Sequence, residues 1–118
     1  MDNETAFASI IEYEVDGPQT QAAFVAAFAE LAERWVRSAP GFVSARFHAG
    51  TDGTRVHNVV TWRDEDAYRA FVETSDTEGR LAAIEAAVAG LPGTAVYRGT
   101  GAPTYRVVRE VGPGPAAA

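Results

Sequence analysis

The chain of 118 residues contains no cysteine, and all ten of its basic residues are arginine. Without cysteine there is no thiolate nucleophile, no cysteine-ligated zinc or iron–sulfur cluster and no disulfide. Without lysine there is no Schiff base and no phosphate loop of the lysine type. Long apolar runs are also missing, since nothing approaches the roughly 18 residues a membrane span requires. The opening Met1-Asp2-Asn3-Glu4-Thr5 is acidic where a secretory leader is basic and then apolar. Sixteen acids against ten bases give a net charge of −6, with no basic run to meet nucleic acid or an anionic membrane. These absences imply a cytoplasmic protein that partners neither nucleic acid nor membrane.

What is present suits one globular domain. Hydrophobic residues make up 47% of the chain, and a chain of this length buries roughly two thirds of its unfolded surface without a covalent staple. One domain is expected over residues 6–111, with flexible ends at 1–5 and at 112–118, the latter reading Gly-Pro-Gly-Pro-Ala-Ala-Ala.

The run 6–15 is rich in β-branched and aromatic residues and alternates, as a strand does. Asp16-Gly17-Pro18 ends it, with Pro18 suited to the first turn of a helix. Phe24, Phe28, Leu31 and Trp35 then recur at helical spacing, predicting an amphipathic helix to Ser38, stopped by Pro40-Gly41. Val43 to His48 and Arg55 to Trp62 read as strands joined by the turn Gly50-Thr51-Asp52-Gly53, whose glycines tolerate positive φ. Asp64 is a natural N-cap for a second helix carrying Tyr68 and Phe71. Ser75-Asp76-Thr77 interrupts that helix, and Leu81, Ile84, Val88 and Leu91 resume a helical stripe closed by Pro92-Gly93. Strands at 95–100 and 105–111 follow.

The resulting order, β-α-β-β-α-β with one extra strand, is the ferredoxin-like split βαβ plan of an α+β protein, both helices covering one face of an antiparallel sheet. Ile10 and Val59 leave the other face apolar, so a homodimer is expected to bury it.

Alternation places Val56, Asn58, Val60 and Trp62 on one side of their strand and His57, Val59 and Thr61 on the other. With Trp62 turned toward the helices, Asn58 faces them too. Either a neighbour satisfies its amide, or the amide is aimed into a cavity. Tyr68, three residues before Phe71, reads first as core, with a phenol that needs a partner if buried, and second as a polar handle. His48 is a solvated strand-end residue or a proton relay, and His57 is structural. The two histidines have no HxxxH or HxH spacing, so no metal site is expected. No GxGxxG or GxSxG motif is present.

The segments Pro40-Gly41-Phe42-Val43-Ser44-Ala45, His48 to Thr54, Asn58-Val59-Val60-Thr61-Trp62 and Ala67-Tyr68-Arg69 resemble the antibiotic biosynthesis monooxygenase family. Val15-Asp16-Gly17-Pro18 and Leu91-Pro92-Gly93 extend the likeness, which runs from about Phe7 to Gly93. The resemblance implies a dimeric α/β barrel with one pocket per subunit between sheet and helices. It implies oxidation of a phenolic aromatic polyketide, of anthrone or naphthol type, to a quinone by molecular oxygen, with no cofactor. It assigns Asn58 and Trp62 to oxygen activation and Tyr68 to the substrate phenol, with His48 or Tyr68 relaying a proton. Phe28, Trp35, Phe47, Val60, Phe71 and Ile84 are the expected pocket walls. Two departures from the family's quinone-forming members stand out: Phe47 replaces a tyrosine, and Glu85 replaces an arginine. A ring-opening oxygenase, a polyketide cyclase and a non-catalytic polyketide-binding domain are the alternatives.

Overall fold

Strand β1 (Phe7–Val15) organises the molecule because both of its sides are paired. It runs antiparallel to β3 (Arg55–Trp62), from Phe7 opposite Trp62 to Glu14 opposite Arg55. In turn β3 pairs antiparallel with β2 (Phe42–Ala49). The other side of β1 carries two short strands, β4 (Ala95–Tyr97) against Tyr13–Val15 and β5 (Thr104–Arg106) against Phe7–Ser9. Three helices complete the order: α1 (Pro18–Trp35) after β1, then α2 (Glu65–Thr74) and α3 (Thr77–Ala89) between β3 and β4. This is a ferredoxin-like α+β fold. The structure, a computed structural model, describes residues 6–115. The ends expected to be flexible at 1–5 and 116–118 lie outside the described residues, and 112–115 are exposed without regular structure.

The side chains of Phe7, Tyr13 and Val15 on β1 and of Val56 and Trp62 on β3 pack under the helices. They form two separate apolar clusters. Val15, Phe24, Phe28 and Val56 make one, against which Phe47, Ile84, Val88 and Leu91 pack. Trp62, Ala67 and Phe71 make the other, with Val36, Ala39, Phe42, Val60 and Tyr68 around them.

The Pro-Gly-Phe stop does more than end a helix. Gly41 has φ +84, which L side chains rarely adopt, and a Cβ there would overlap the Cβ of Ala67. The Gly41 carbonyl accepts from Arg63 N–H at 2.8 Å, so this turn fixes the start of α2 against β2. Just beyond it, a bulge between Phe42 and Ser44 lets Phe42 face inward opposite Trp62, their rings edge-on at 5.9 Å. Val43 is left outside.

Several elements differ from expectation. α1 stops at Trp35, short of Ser38, because Arg37 N–H closes back onto the Ala32 carbonyl. Asp64 caps α2 by accepting from Ala67 N–H at 2.9 Å, and Asp76 caps α3 by accepting from Gly79 N–H, so one interrupted helix becomes two. Leu81 is 53% exposed while Ile84, Val88 and Leu91 pack inward. In the hairpin turn only Gly53, with φ +81, takes positive φ. The C-terminal strands shrink to three residues each, because a turn with Gly101 at φ +62 separates them and 107–115 find no partner strand. β5 pairs with β1 of its own chain, and the sheet is open, so one chain does not close a barrel.

Gly41→Ala is expected to cost at least about 2 kcal/mol in urea unfolding, from strained φ and the Ala67 overlap together. Asp64 has its carboxyl held below the ordinary 3.8, chiefly by the Ala67 N–H. Its contribution is therefore complete above that value and fades as pH falls through the lowered one. The melting-temperature gap between wild type and Asp64→Ala should be full at pH 7 and shrink below pH 3.8.

Candidate active site

Asn58 lies on the seam between the two apolar clusters. On β3 it sits between Val56 of one and Val60 of the other, and its cross-strand neighbours are Ile11 and Phe47. Alternation predicts that it faces the helices, and it does. Its Oδ1 is buried and has no hydrogen-bond partner among the described residues. Trp62, four residues on and roughly 13 Å along the strand, is 1% exposed, and its Nε1 is likewise buried and unpartnered. Leaving such a group unpaired costs about 1–3 kcal/mol, so native cores rarely keep one without a use for it.

Among the described residues, three more buried polar atoms have no partner: Trp35 Nε1, Ser75 Oγ and Arg80 Nε. They belong to one corner of the helical layer. Trp35 ends α1, and its ring lies so close to Gly79 that a Cβ there would sit 3.2 Å from Cη2. Ser75 follows α2, its N–H donating to the Phe71 carbonyl. The Arg80 guanidinium stands 5.0 Å over the Phe71 ring, and that ring is 5.1 Å from Trp62. A chain of contacts thus joins the helix corner to Trp62.

The remaining expected residues divide. Tyr68 packs on Trp62 at 6.0 Å and on Phe7 at 5.5 Å, which brings it to the Trp62 end. Phe28, Phe47 and Ile84 belong to the first cluster and Val60 and Phe71 to the second, so the expected walls come from both sides of the seam. His48 does not join them. It stands opposite His57 on the outer face of the sheet, where His57 Nε2 lies 3.4 Å from Glu12. Glu85 is exposed on α3 and does not reach inward. Arg80 was invisible to spacing, because its position depends on the break between α2 and α3. The one available signal was a cation within an apolar helical stripe.

An open cavity of about 450 Å³ lies elsewhere, on the outer sheet face, between Ile10, Val59 and Thr61 and the segment Tyr105–Arg109. None of the five unpartnered atoms lines it. The candidate site is therefore the seam.

Fold and seam together define a ferredoxin-like α+β domain with an internal polar site beneath its helices. The chain belongs to the antibiotic biosynthesis monooxygenase family, whose pattern it matches over residues 6–88. It is similar to the crystal structure of a monooxygenase from the gene ActVA-Orf6 of Streptomyces coelicolor, in complex with the ligand nanaomycin D. That likeness has TM-score 0.70 and 32% identity, over 94% of this chain and 95% of the other. SnoaB, a cofactor-independent oxygenase from Streptomyces nogalater, shares the fold with TM-score 0.62 and 23% identity, over 92% and 98% of the two chains. Tetracenomycin-F1 monooxygenase of Streptomyces glaucescens is 45% identical over 42 residues, 36% of this chain and 38% of that enzyme. No helix among the described residues is long and apolar enough to cross a membrane.

Because nothing among the described residues pairs with Asn58 Oδ1, Asn58→Leu should leave the melting temperature unchanged or raise it. Trp62→Ala should cost about 3–5 kcal/mol as a core truncation. A clear loss of stability in Asn58→Leu would show that the amide is structural.

Proposed function

We propose that this protein is a cofactor-independent monooxygenase that oxidises a phenolic aromatic polyketide, of anthrone or naphthol type, to a quinone with molecular oxygen. The observation that carries this reading is the pair of buried, unpartnered groups on one strand face, Asn58 Oδ1 and Trp62 Nε1, in a chain of a monooxygenase family. A phenolic polycycle offers what they lack: a hydroxyl to donate to Asn58, and oxygen atoms to accept from Trp62.

Oxygen is a triplet and reacts slowly with closed-shell molecules until one electron has passed. An ionised phenol is electron-rich enough to supply that electron, so the substrate itself is the reductant. In the net reaction a ring CH₂ of an anthrone becomes C=O. One oxygen atom stays on that carbon and the other leaves as water with the two hydrogens. The protein's part is to hold the phenolate, exclude water and stabilise the charge that develops on reduced oxygen. Asn58 Oδ1 accepts from a neighbouring hydroxyl of the polycycle that stays protonated, and so orients the ring. Trp62 N–H donates to the reduced oxygen, and the Tyr68 hydroxyl hydrogen-bonds the substrate. Phe47, directly opposite Asn58, packs on the polycycle without offering a proton.

The assembly proposed with this activity is a homodimer joined through the outer sheet faces. Ile10 and Val59 lie on that face, and Val96, Tyr105, Val107 and Val108 are exposed beside it. Light scattering should give the mass of two chains, independent of concentration in the micromolar range. A monomer mass would remove the dimer.

Oxygen-electrode assays with an anthrone should show uptake that falls roughly tenfold to a hundredfold in Asn58→Ala and Trp62→Phe. Mass spectrometry should find one added oxygen and two lost hydrogens. Undiminished turnover in both variants excludes these residues from the chemistry. Tight binding without uptake would instead identify a polyketide carrier, and a product without added oxygen a cyclase.

A further inference from the structure

We infer that the corner formed by Arg80, Trp35 and Ser75 is a subsite for an ionised carboxyl group on the substrate, remote from the ring that is oxidised. This deepens the proposed function and rests on the seam being the ligand site. The unpartnered atoms sort by chemistry. Asn58 Oδ1 is an acceptor, whereas the α1 end and the α2–α3 corner hold the donors Arg80 Nε and Trp35 Nε1 and the Ser75 hydroxyl, which can donate; Trp62 Nε1, a further donor, serves the reduced oxygen. A ligand complementary to both ends is a hydroxyl donor at one and an oxygen-rich acceptor at the other.

Arg80 makes that acceptor an anion. Its Nε is buried, and among the described residues it forms no ion pair. Asp76, the N-cap of α3 four residues earlier, accepts from the Gly79 N–H through Oδ1 at 2.9 Å and makes no ion pair with Arg80. A guanidinium whose Nε is buried without a counter-ion is costly, and a planar carboxylate accepting two of its N–H groups offsets that cost with matched geometry. One cation in a chain of net charge −6 suits a monoanion, which favours a carboxylate over a phosphate. Phe71 orients the group, stacking the guanidinium on one side and meeting Trp62 on the other. The aromatic rings of the ligand and its acidic substituent are thereby read by adjoining residues.

Binding can be followed through tryptophan fluorescence, using anthraquinone-2-carboxylate and its methyl ester, neither of which can turn over at the quinone carbons. Wild type should bind the acid at least tenfold more tightly than the ester. Arg80→Met should abolish that preference by weakening acid binding at least tenfold, with ester binding within about threefold of wild type, and Arg80→Lys should restore part of it. Arg80→Gln is the second variant should the methionine form fold poorly. Equal binding of acid and ester by wild type, no binding of either, or equal weakening of both by Arg80→Met overturns the subsite. An acid preference without oxygen uptake on anthrones would keep the subsite and remove the oxygenase; uptake without the preference would do the reverse.

Discussion

A polar atom sealed in an apolar core with nothing to bond is a standing charge on stability, and the described residues hold five of them. The core does not run unbroken beneath the helices. It is split into a cluster around Phe24 and one around Trp62; Asn58 lies where the two meet, Trp62 Nε1 within the second, and the other three at the helix corner. Everything else positions that seam. The long β1–β3 pairing sets Asn58 between Val56 and Val60, the bulge at Val43 turns Phe42 against Trp62, and the Gly41 turn brings α2 down so that Phe71 reaches Trp62. A sequence selected only to fold would place leucine at 58.

The strands with a strict period of two were legible because a buried face leaves a clear trace in alternation. β3 occupies the expected residues, and the inward direction of Asn58 follows from the same alternation. The helix cap at Asp64 was legible, since a short acidic residue before an amphipathic run has few other uses, whereas Asp76 was read only as part of an interruption and not as a cap. What failed to show was anything set by tertiary contact. Val107, Val108 and Val111 have the composition of a strand but lie where no strand is left to pair, so β5 ends at Arg106. The phase of α3 restarts at its own cap, which turns Leu81 outward and carries Arg80 toward Phe71.

The site followed the same rule. Residues on the strand, Asn58 and Trp62, could be assigned a direction from spacing alone. His48 could be assigned one as well, and its alternation against Phe47 put it on the far face, where the structure has it. The family resemblance had nevertheless grouped it with the inner residues, so local geometry was the better guide. Arg80 needed three dimensions, because its importance lies in lacking an ion pair, and an absent partner leaves no mark in a linear sequence.

Two short strands share one flank of β1, and the loop Arg98–Pro103 interrupts them. On the opposite side of the sheet, β2 begins with a bulge and carries Arg46 and His48. Neither border presents a long, flat row of free amide and carbonyl groups to a passing chain. Growth into fibres by adding strand after strand is thereby discouraged, even though the outer sheet face remains apolar. A small, acidic, staple-free protein can thus be sticky on a face and still resist open-ended aggregation.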